Sequence, residues 1–255
     1  MEFIDTHTHI ADEAFAGIEE EVVKRALGAG VTRMLQADVD STERERMFRL
    51  VETYPGILYP MVGLYPGSVS DNWRDEIDLM LPYLAKMPVA IGEIGLDYHY
   101  GAETKELQKE AFRTQLELAL SHNLPVNIHL REATEDFFLV LEEFRGKGLC
   151  GNLHAFSGSF ETFERLQKYG DWFIGIGGVL TFRNASIARD ITRIPIDRIL
   201  LETDAPYLAP TPLRGTRNES ANIPIIATKL AELKGITIEY VAEATTRNAK
   251  LLFGI

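Results

Sequence analysis

The sequence predicts a single α/β domain, a closed (β/α)8 barrel formed by residues 1–255. Three observations carry that prediction. Strand-like and helix-like patterns alternate, with short connectors, along 255 residues, and barrels of this kind are typically about 250 residues long. No linker, low-complexity run or break in composition divides the chain. Polar residues able to do chemistry fall at the ends of the strand-like segments, where such barrels carry their sites.

The first strand reads Phe3-Ile4-Asp5-Thr6-His7-Thr8-His9. Side chains alternate along a strand, so Asp5, His7 and His9 point to one side. Asp12 to Leu27 has helical spacing, with acids early, Lys24 and Arg25 late, and Gly28 and Gly30 to end it. Val31 to Ala37 is the second strand, and Ser41 caps a helix running to about Glu52. Ile57 to Leu64 is the third strand and Trp73 to Ala85 the third helix. Val89 to Ile94 is the fourth strand, followed by a long amphipathic helix from Thr104 to Ser121. Leu124 to Leu130, Leu149 to Ala155, Trp172 to Ile176 and Arg198 to Thr203 complete the strands. The helices between them span Ala133 to Phe144, Ser159 to Tyr169 and a short piece around Ala185 to Ile191. Two more helices, about Pro224 to Lys234 and Ile238 to Leu252, close the chain. The one long loop, Tyr207 to Asn222, is rich in proline and is expected to lie over the barrel mouth.

A formal net charge of −12 argues against a surface that coats a nucleic-acid duplex. It does not argue against a small site in which dications and local arginines meet a phosphate. The lone cysteine, Cys150, cannot form an internal disulfide. No apolar run approaches the roughly 18 residues of a membrane span, and the first residues do not read as a signal peptide. The expectation is a cytoplasmic, monomeric protein.

Of the 6 histidines, His7, His9, His129 and His154 all stand at strand C-termini. Glu93 on strand four and Asp204 after strand eight join them. Imidazole together with carboxylate suits Zn, Mn, Fe or Co, and Mg less naturally. Six ligands exceed what one open catalytic ion uses, so two divalent ions are expected, with Glu93 placed to bridge them. A dinuclear centre holds a hydroxide and clamps the attacking and leaving oxygens of a displacement; Asp204 would orient that hydroxide as general base. Each residue alone has a blander reading, such as a strand-end histidine bonded to backbone, a buried ion pair or a helix cap. One site explains all six together. Glu202, two residues before Asp204, lies one layer deeper, and a hydrogen bond to a ligand histidine would satisfy it; Asp5 stands in the same relation to His7.

With these residues in place, the chain resembles a TatD-family metal-dependent hydrolase of the amidohydrolase-like barrel superfamily. The matching stretches are Phe3 to His9, Ala90 to Tyr98, Leu124 to His129, Gly151 to Gly158, Leu201 to Pro210 and Pro212 to Glu219. The resemblance implies a TIM barrel, a divalent and often dinuclear centre on His7, His9, Glu93, His129, His154 and Asp204, and deoxyribonuclease activity. Arg131, Arg183, Arg214 and Arg217 fall in mouth loops and are candidates to hold phosphate oxygens. The chain departs from the family pattern at Tyr65, where His commonly precedes the proline, and at Ala155, where Cys is common. Tyrosine can donate a hydrogen bond but is no neutral base near pH 7, so Tyr65 bears on substrate range.

Three functions stay open at this point. The first is a phosphodiesterase acting on DNA, single-stranded or at 3′ ends, since a barrel mouth suits an end better than an intact duplex and no stacking platform or basic stripe is evident. The second keeps the metals, expected as Mg, Mn or Zn, but hydrolyses a carboxylic ester or amide, as a D-aminoacyl-tRNA deacylase does. The third is a non-catalytic binding protein, against which the complete ligand set argues. Fold alone does not choose among them.

Overall fold

Eight parallel strands follow one another in chain order around one sheet, and the computed structural model describes all 255 residues. The strands are β1 (Phe3–Thr8), β2 (Val31–Gln36), β3 (Leu58–Val62), β4 (Ala90–Asp97), β5 (Val126–Arg131), β6 (Gly151–Leu153), β7 (Trp172–Ile176) and β8 (Ile199–Leu201). The helices are α1 (Glu19–Gly28), α2 (Ser41–Thr53), α3 (Trp73–Leu84), α4 (Lys105–His122), α5 (Thr134–Glu142), α6 (Phe160–Leu166), α7 (Ile187–Asp190), α8 (Ile223–Lys234) and α9 (Ile238–Phe253). None of them is long and apolar enough to cross a membrane.

Alternation along the strands divides the core in two. Phe3, Met34, Val62, Ile91, Ile174 and Ile199 belong to the large apolar cluster that joins the sheet to its helices. Their neighbours Ile4, Leu35, Met61, Ala90, Phe173 and Leu200 form a second, smaller cluster together with Ala249 and Phe253 of α9. The second set fills the barrel interior, so the barrel is packed and any site must sit at its rim.

The seam between β8 and β1 is closed mainly by groups at the mouth. Asp204 N donates to His7 O at 2.9 Å, and His9 N to Ala205 O at 2.8 Å. Thr6 Oγ1 bonds Leu201 O at 3.0 Å. The buried Asp5 carboxylate accepts Thr203 N at 3.0 Å and Thr203 Oγ1 at 2.6 Å. Asp5 also accepts the backbone N–H of His7 at 3.3 Å, so the expected bond to that histidine runs through the main chain and not the ring, and the carboxylate staples the seam. The same bonds take Thr203 out of the ladder, which is why β8 stops at Leu201 rather than Thr203.

Other boundaries shift for local reasons. The stretch from Asp12 to Leu27 is not one helix: Asp12 caps a 3-10 turn at Glu13–Phe15, Gly17 has φ 79°, and α1 starts only at Glu19. Asp40, not Ser41, caps α2 by accepting Thr42 N at 2.9 Å, while Ser41 turns its hydroxyl to Glu76 at 2.8 Å. β4 runs to Asp97, so Glu93 lies inside that strand rather than at its end. Of the long loop, only Tyr207 and Leu208 line the mouth. Buried Asn218 holds the rest back, donating to Thr203 O at 2.8 Å and Tyr207 O at 2.7 Å.

Behind β3 lies a buried ion pair, Arg44 Nε to Asp38 Oδ2 at 2.6 Å, both side chains 1% exposed. Burial pushes the Asp38 carboxyl up to about 7 against the pull of Arg44, as expected where desolvation rivals the attraction. Arg44→Met should destabilise the fold by about 3–5 kcal/mol, because it strands a buried carboxylate. An acid whose pKa rises on folding holds its proton in the folded state, so stability falls as pH climbs from the unfolded pKa through the folded one. The loss in Arg44→Met should therefore be larger at pH 8 than at pH 5. Urea denaturation at both values measures it, and an equal loss at both would refute the assignment.

Candidate metal centre

β1 delivers two imidazoles and its neighbours across the barrel deliver the rest. His7 Nε2 and His9 Nε2 are 3.0 Å apart. Beside them, His129 Nδ1 and His154 Nε2 are 3.1 Å apart, the His154 ring stacked on His7 with centroids 3.9 Å apart. Glu93 lies between the pairs with one oxygen for each. Its Oε1 is 2.9 Å from His129 Nδ1 and 2.8 Å from His154 Nε2; its Oε2 is 3.3 Å from His7 Nε2 and 3.6 Å from His9 Nε2. Asp204 Oδ1 completes the first pair, 3.5 Å from His7 Nε2 and 3.4 Å from His9 Nε2. Asp204 sits at φ 56°, a left-handed conformation that aspartate tolerates better than most residues.

Donor accounting tests whether these residues fit a metal. His7 Nδ1 meets Asn127 Oδ1 at 2.8 Å, and Asn127 in turn donates Nδ2 to Asn152 Oδ1 at 3.2 Å. His7 therefore carries its proton on Nδ1. Its Nε2 lone pair faces His9, Glu93 and Asp204 with no hydrogen to share. Without a cation, protons on His9 and His129 face the carboxylates; a metal ion would take their place, and the donor set of imidazole and carboxylate suits Zn, Mn or Fe. Two overlapping groups, His7–His9–Asp204 and His7–Glu93–His154, each bring one ligand atom per residue within 4.8 Å of one another. The residues fit.

The charges of the site lean on one another. Burial works against the charged form of His9, but Asp204 and Glu93 raise its pKa to about 9. Burial likewise opposes charge on His129, and Asp97 and Glu93 raise it to about 9. Burial and the neighbouring His7 push His154 down to about 4. Burial favours the neutral forms of Glu93 and Asp204, yet the surrounding histidines hold both carboxyls below the usual range. Glu202 has only burial to answer to in the main, and its carboxyl is pushed well up.

The chain matches the model of the family described as TatD related DNase over residues 4–254. The chain belongs to the TatD family. It is 39% identical to the Bacillus subtilis (strain 168) protein named "Uncharacterized metal-dependent hydrolase YabD", with 98% of each chain covered. It is 37% identical to the Pantoea vagans protein named "3'-5' ssDNA/RNA exonuclease TatD", again over 98% of each. Among solved structures, the TatD homolog YJJV from Escherichia coli K12 superposes with a TM-score of 0.91 at 32% identity, covering 99% of this chain and 98% of that one. This TatD-family barrel is a metal-dependent hydrolase.

The TatD-family site opens into a cavity of about 630 Å³ at the mouth. Of the four arginines expected near phosphate, only Arg131 lines it. Arg217 is spent on the fold, donating to Ala14 O at 2.9 Å. The Arg214 guanidinium lies over Phe182 at 4.1 Å from the ring centre, and Arg183 is exposed away from the lining. Asp12 and Glu43 line the rim as well, so the mouth is acidic on the β1 side.

Several contacts had no signal in the sequence. Asn127 holds the His7 ring, and Asp97 takes His129 Nε2 at 2.9 Å. Burial pushes the Asp97 carboxyl up, but His129 and the backbone N–H groups of the following turn hold it at about 2. Tyr65 lines the cavity, with its hydroxyl 3.3 Å from Asp97 Oδ2. Glu202 points to His154 but stops 3.8 Å from Nδ1; it accepts the Ala155 N–H instead. Gly175 makes room for that carboxylate, since a Cβ there would overlap Glu202 Oε2. Tyr100 and Tyr207, which no sequence pattern singles out, put rings into the mouth while 68% and 54% exposed.

Proposed function

We propose that this TatD-family protein is a nuclease that hydrolyses phosphodiester bonds in single-stranded DNA, working from strand ends. The observation that carries the reading is Glu93, whose two oxygens each face one histidine pair beneath an open cavity. His7, His9, Glu93 and Asp204 would hold one divalent ion, and His129, His154 and Glu93 a second. Bound there, such ions neutralise charge on phosphoryl oxygens and acidify a water.

The chain's own groups supply the rest. Asp204 is the acid turned to the cavity, its side chain 17% exposed against 4% for Glu93. It accepts the proton of the attacking water as general base. Arg131, which lines the cavity with its guanidinium 4.9 Å from the Tyr100 ring centre, would take a phosphate oxygen. The Tyr207 hydroxyl is tied to Asp12 Oδ2 at 2.8 Å, fixing that ring at the opposite rim. The Tyr207 ring and the face of Tyr100 turned away from Arg131 offer surfaces on which unpaired bases stack; a paired duplex has no free base face to give them.

The test is release of nucleotides from end-labelled single-stranded DNA, abolished by chelator and restored by Mg, Mn or Zn. Turnover of a D-aminoacyl ester with none of DNA would overturn the reading. That second reading has its own support in Asp12 and Glu43, whose carboxylates would suit a substrate ammonium group. Tyr100→Ala should weaken binding of single-stranded DNA by about 1–3 kcal/mol, seen as a KM raised roughly 5- to 150-fold. Hydrolysis of a small phosphodiester that lacks a base should not change; equal losses on both substrates would remove the stacking role.

A further inference from the structure

We propose that Asp97 is a positioning residue that fixes the tautomer of His129, and so decides whether the β5 side of the centre can hold a cation. The inference rests on the reading of the site as a metal centre, not on the identity of the substrate.

Asp97 is fully buried at the end of β4, and its position is over-determined. Gln108 of α4 binds its backbone twice, accepting Asp97 N at 2.8 Å and donating to Asp97 O at 2.9 Å. The carboxylate meets four donors. Oδ1 accepts the backbone N–H of His99 at 2.8 Å and of Tyr100 at 3.0 Å. Oδ2 accepts His129 Nε2 at 2.9 Å and the Tyr65 hydroxyl at 3.3 Å.

A neutral imidazole has one N–H and one lone pair. Both ring nitrogens of His129 face a carboxylate oxygen at 2.9 Å, Nε2 that of Asp97 and Nδ1 that of Glu93. Glu93 Oε1 is shared with His154 Nε2 at 2.8 Å, so the proton is assigned to Nε2, toward Asp97, and the lone pair to Nδ1. That is the atom lying 2.9 Å from Glu93 Oε1 and 3.1 Å from His154 Nε2. The other rings differ. His7 is held by the neutral amide of Asn127, and the Nδ1 atoms of His9 and His154 are buried without a hydrogen-bond partner. His129 alone is backed by a carboxylate within hydrogen-bond range, an arrangement that both orients a ligand and raises its basicity.

The same carboxylate anchors the turn that carries Tyr100 to the rim. One side chain therefore joins the β5 half of the centre to the substrate-facing edge, with Tyr65 as a second donor on the shared oxygen.

Asp97→Asn keeps the shape and removes the logic. An amide that still accepts from the turn presents its NH2 to His129, and the ring must move its proton to Nδ1, out of register with the centre. If the amide turns round, its NH2 meets two backbone N–H groups. Zn2+ titration of the metal-free full-length protein, in competition with a chromophoric chelator, reads the effect. Wild type should bind two ions; Asp97→Asn should bind one of them about ten- to a hundredfold more weakly. Tyr65→Phe should bind both as wild type does, since it leaves the partner of His129 in place. Equal affinity for both ions in a folded Asp97→Asn protein would overturn the inference while leaving the nuclease reading intact.

Long-range 1H–15N NMR of the wild-type imidazoles at alkaline pH is the second measurement, with His129 assigned by its loss in His129→Gln. It decides the role of Asp97 even if Asp97→Asn fails to fold; a wild type that takes up no Zn2+ would overturn the inference together with the metal centre it rests on. A proton on Nε2 supports the role, and a proton on Nδ1 overturns it. Neither measurement uses nucleic acid, so a chain that passes both and cleaves no DNA loses its proposed substrate and keeps Asp97.

Discussion

Glu93→Gln is expected to lower kcat/KM on single-stranded DNA by about 10³–10⁴-fold, or ~4–5 kcal/mol of transition-state stabilisation. The loss is large because this carboxylate faces both histidine pairs of the proposed centre. Glutamine keeps the length and the branching of the side chain. It loses the negative charge, and it must turn an NH2 group toward one of the two histidine pairs. Whichever pair receives the donor, the lone pairs there meet a hydrogen instead of sharing a cation. The fold should survive: the Glu93 side chain bonds only to histidines of the site, and an amide of the same shape keeps hydrogen bonds to them while giving up the charge. The measurement is steady-state cleavage of end-labelled DNA at saturating Mn2+, beside a thermal melt. A variant that melts like wild type and keeps a tenth of its activity would end the bridging role.

Asp204→Asn should cost about 10²–10⁴-fold, in the range for loss of a general base, and most of it in kcat. The amide oxygen can still face His7 and His9, so uptake of metal should fall less than turnover does. The physical distinction from Glu93 is position. Asp204 follows β8 at the mouth with its side chain partly open to the cavity, whereas Glu93 is enclosed within β4. An acid that must accept a proton from a water beside the substrate has to reach that water. Titrating Zn2+ into both variants separates them: if Asp204→Asn lost metal as completely as Glu93→Gln, it would be a ligand first and a base not at all.

Much of this was written along the chain. Alternation of strand and helix patterns dictates a barrel once the length is known, and the barrel in turn sends strand ends to one rim. That is why His7, His9, His129, His154 and Asp204 could be grouped before any coordinate existed: each is a polar residue at the C-terminal side of an apolar run. Glu93 was found the same way, although β4 runs on to Asp97 and leaves it inside the strand. Helix caps were less legible. Asp40 and Ser41 are both good caps, and only the carboxylate of Glu76 on a neighbouring helix, which takes the Ser41 hydroxyl, settled which one would serve.

What the sequence could not decide is which polar group meets which. Asp5 looked like a partner for His7 by spacing, but the β8–β1 seam left N–H and hydroxyl donors of Thr203 to be satisfied, and they claimed it. Asn127, buried in the strand, and Asp97, at its neighbour's end, carry no local pattern that marks them as holders of a ring. The arginines of the mouth loops failed for a related reason, since a loop position fixes the neighbourhood of a long side chain and not its direction: Arg217 and Arg214 were taken by a carbonyl and an aromatic face. Periodicity is a property of the backbone and survives any environment that buries one face. Hydrogen-bond partnership is a property of what lies across the barrel, and the chain acquires it only when distant strands come within about 3 Å of each other.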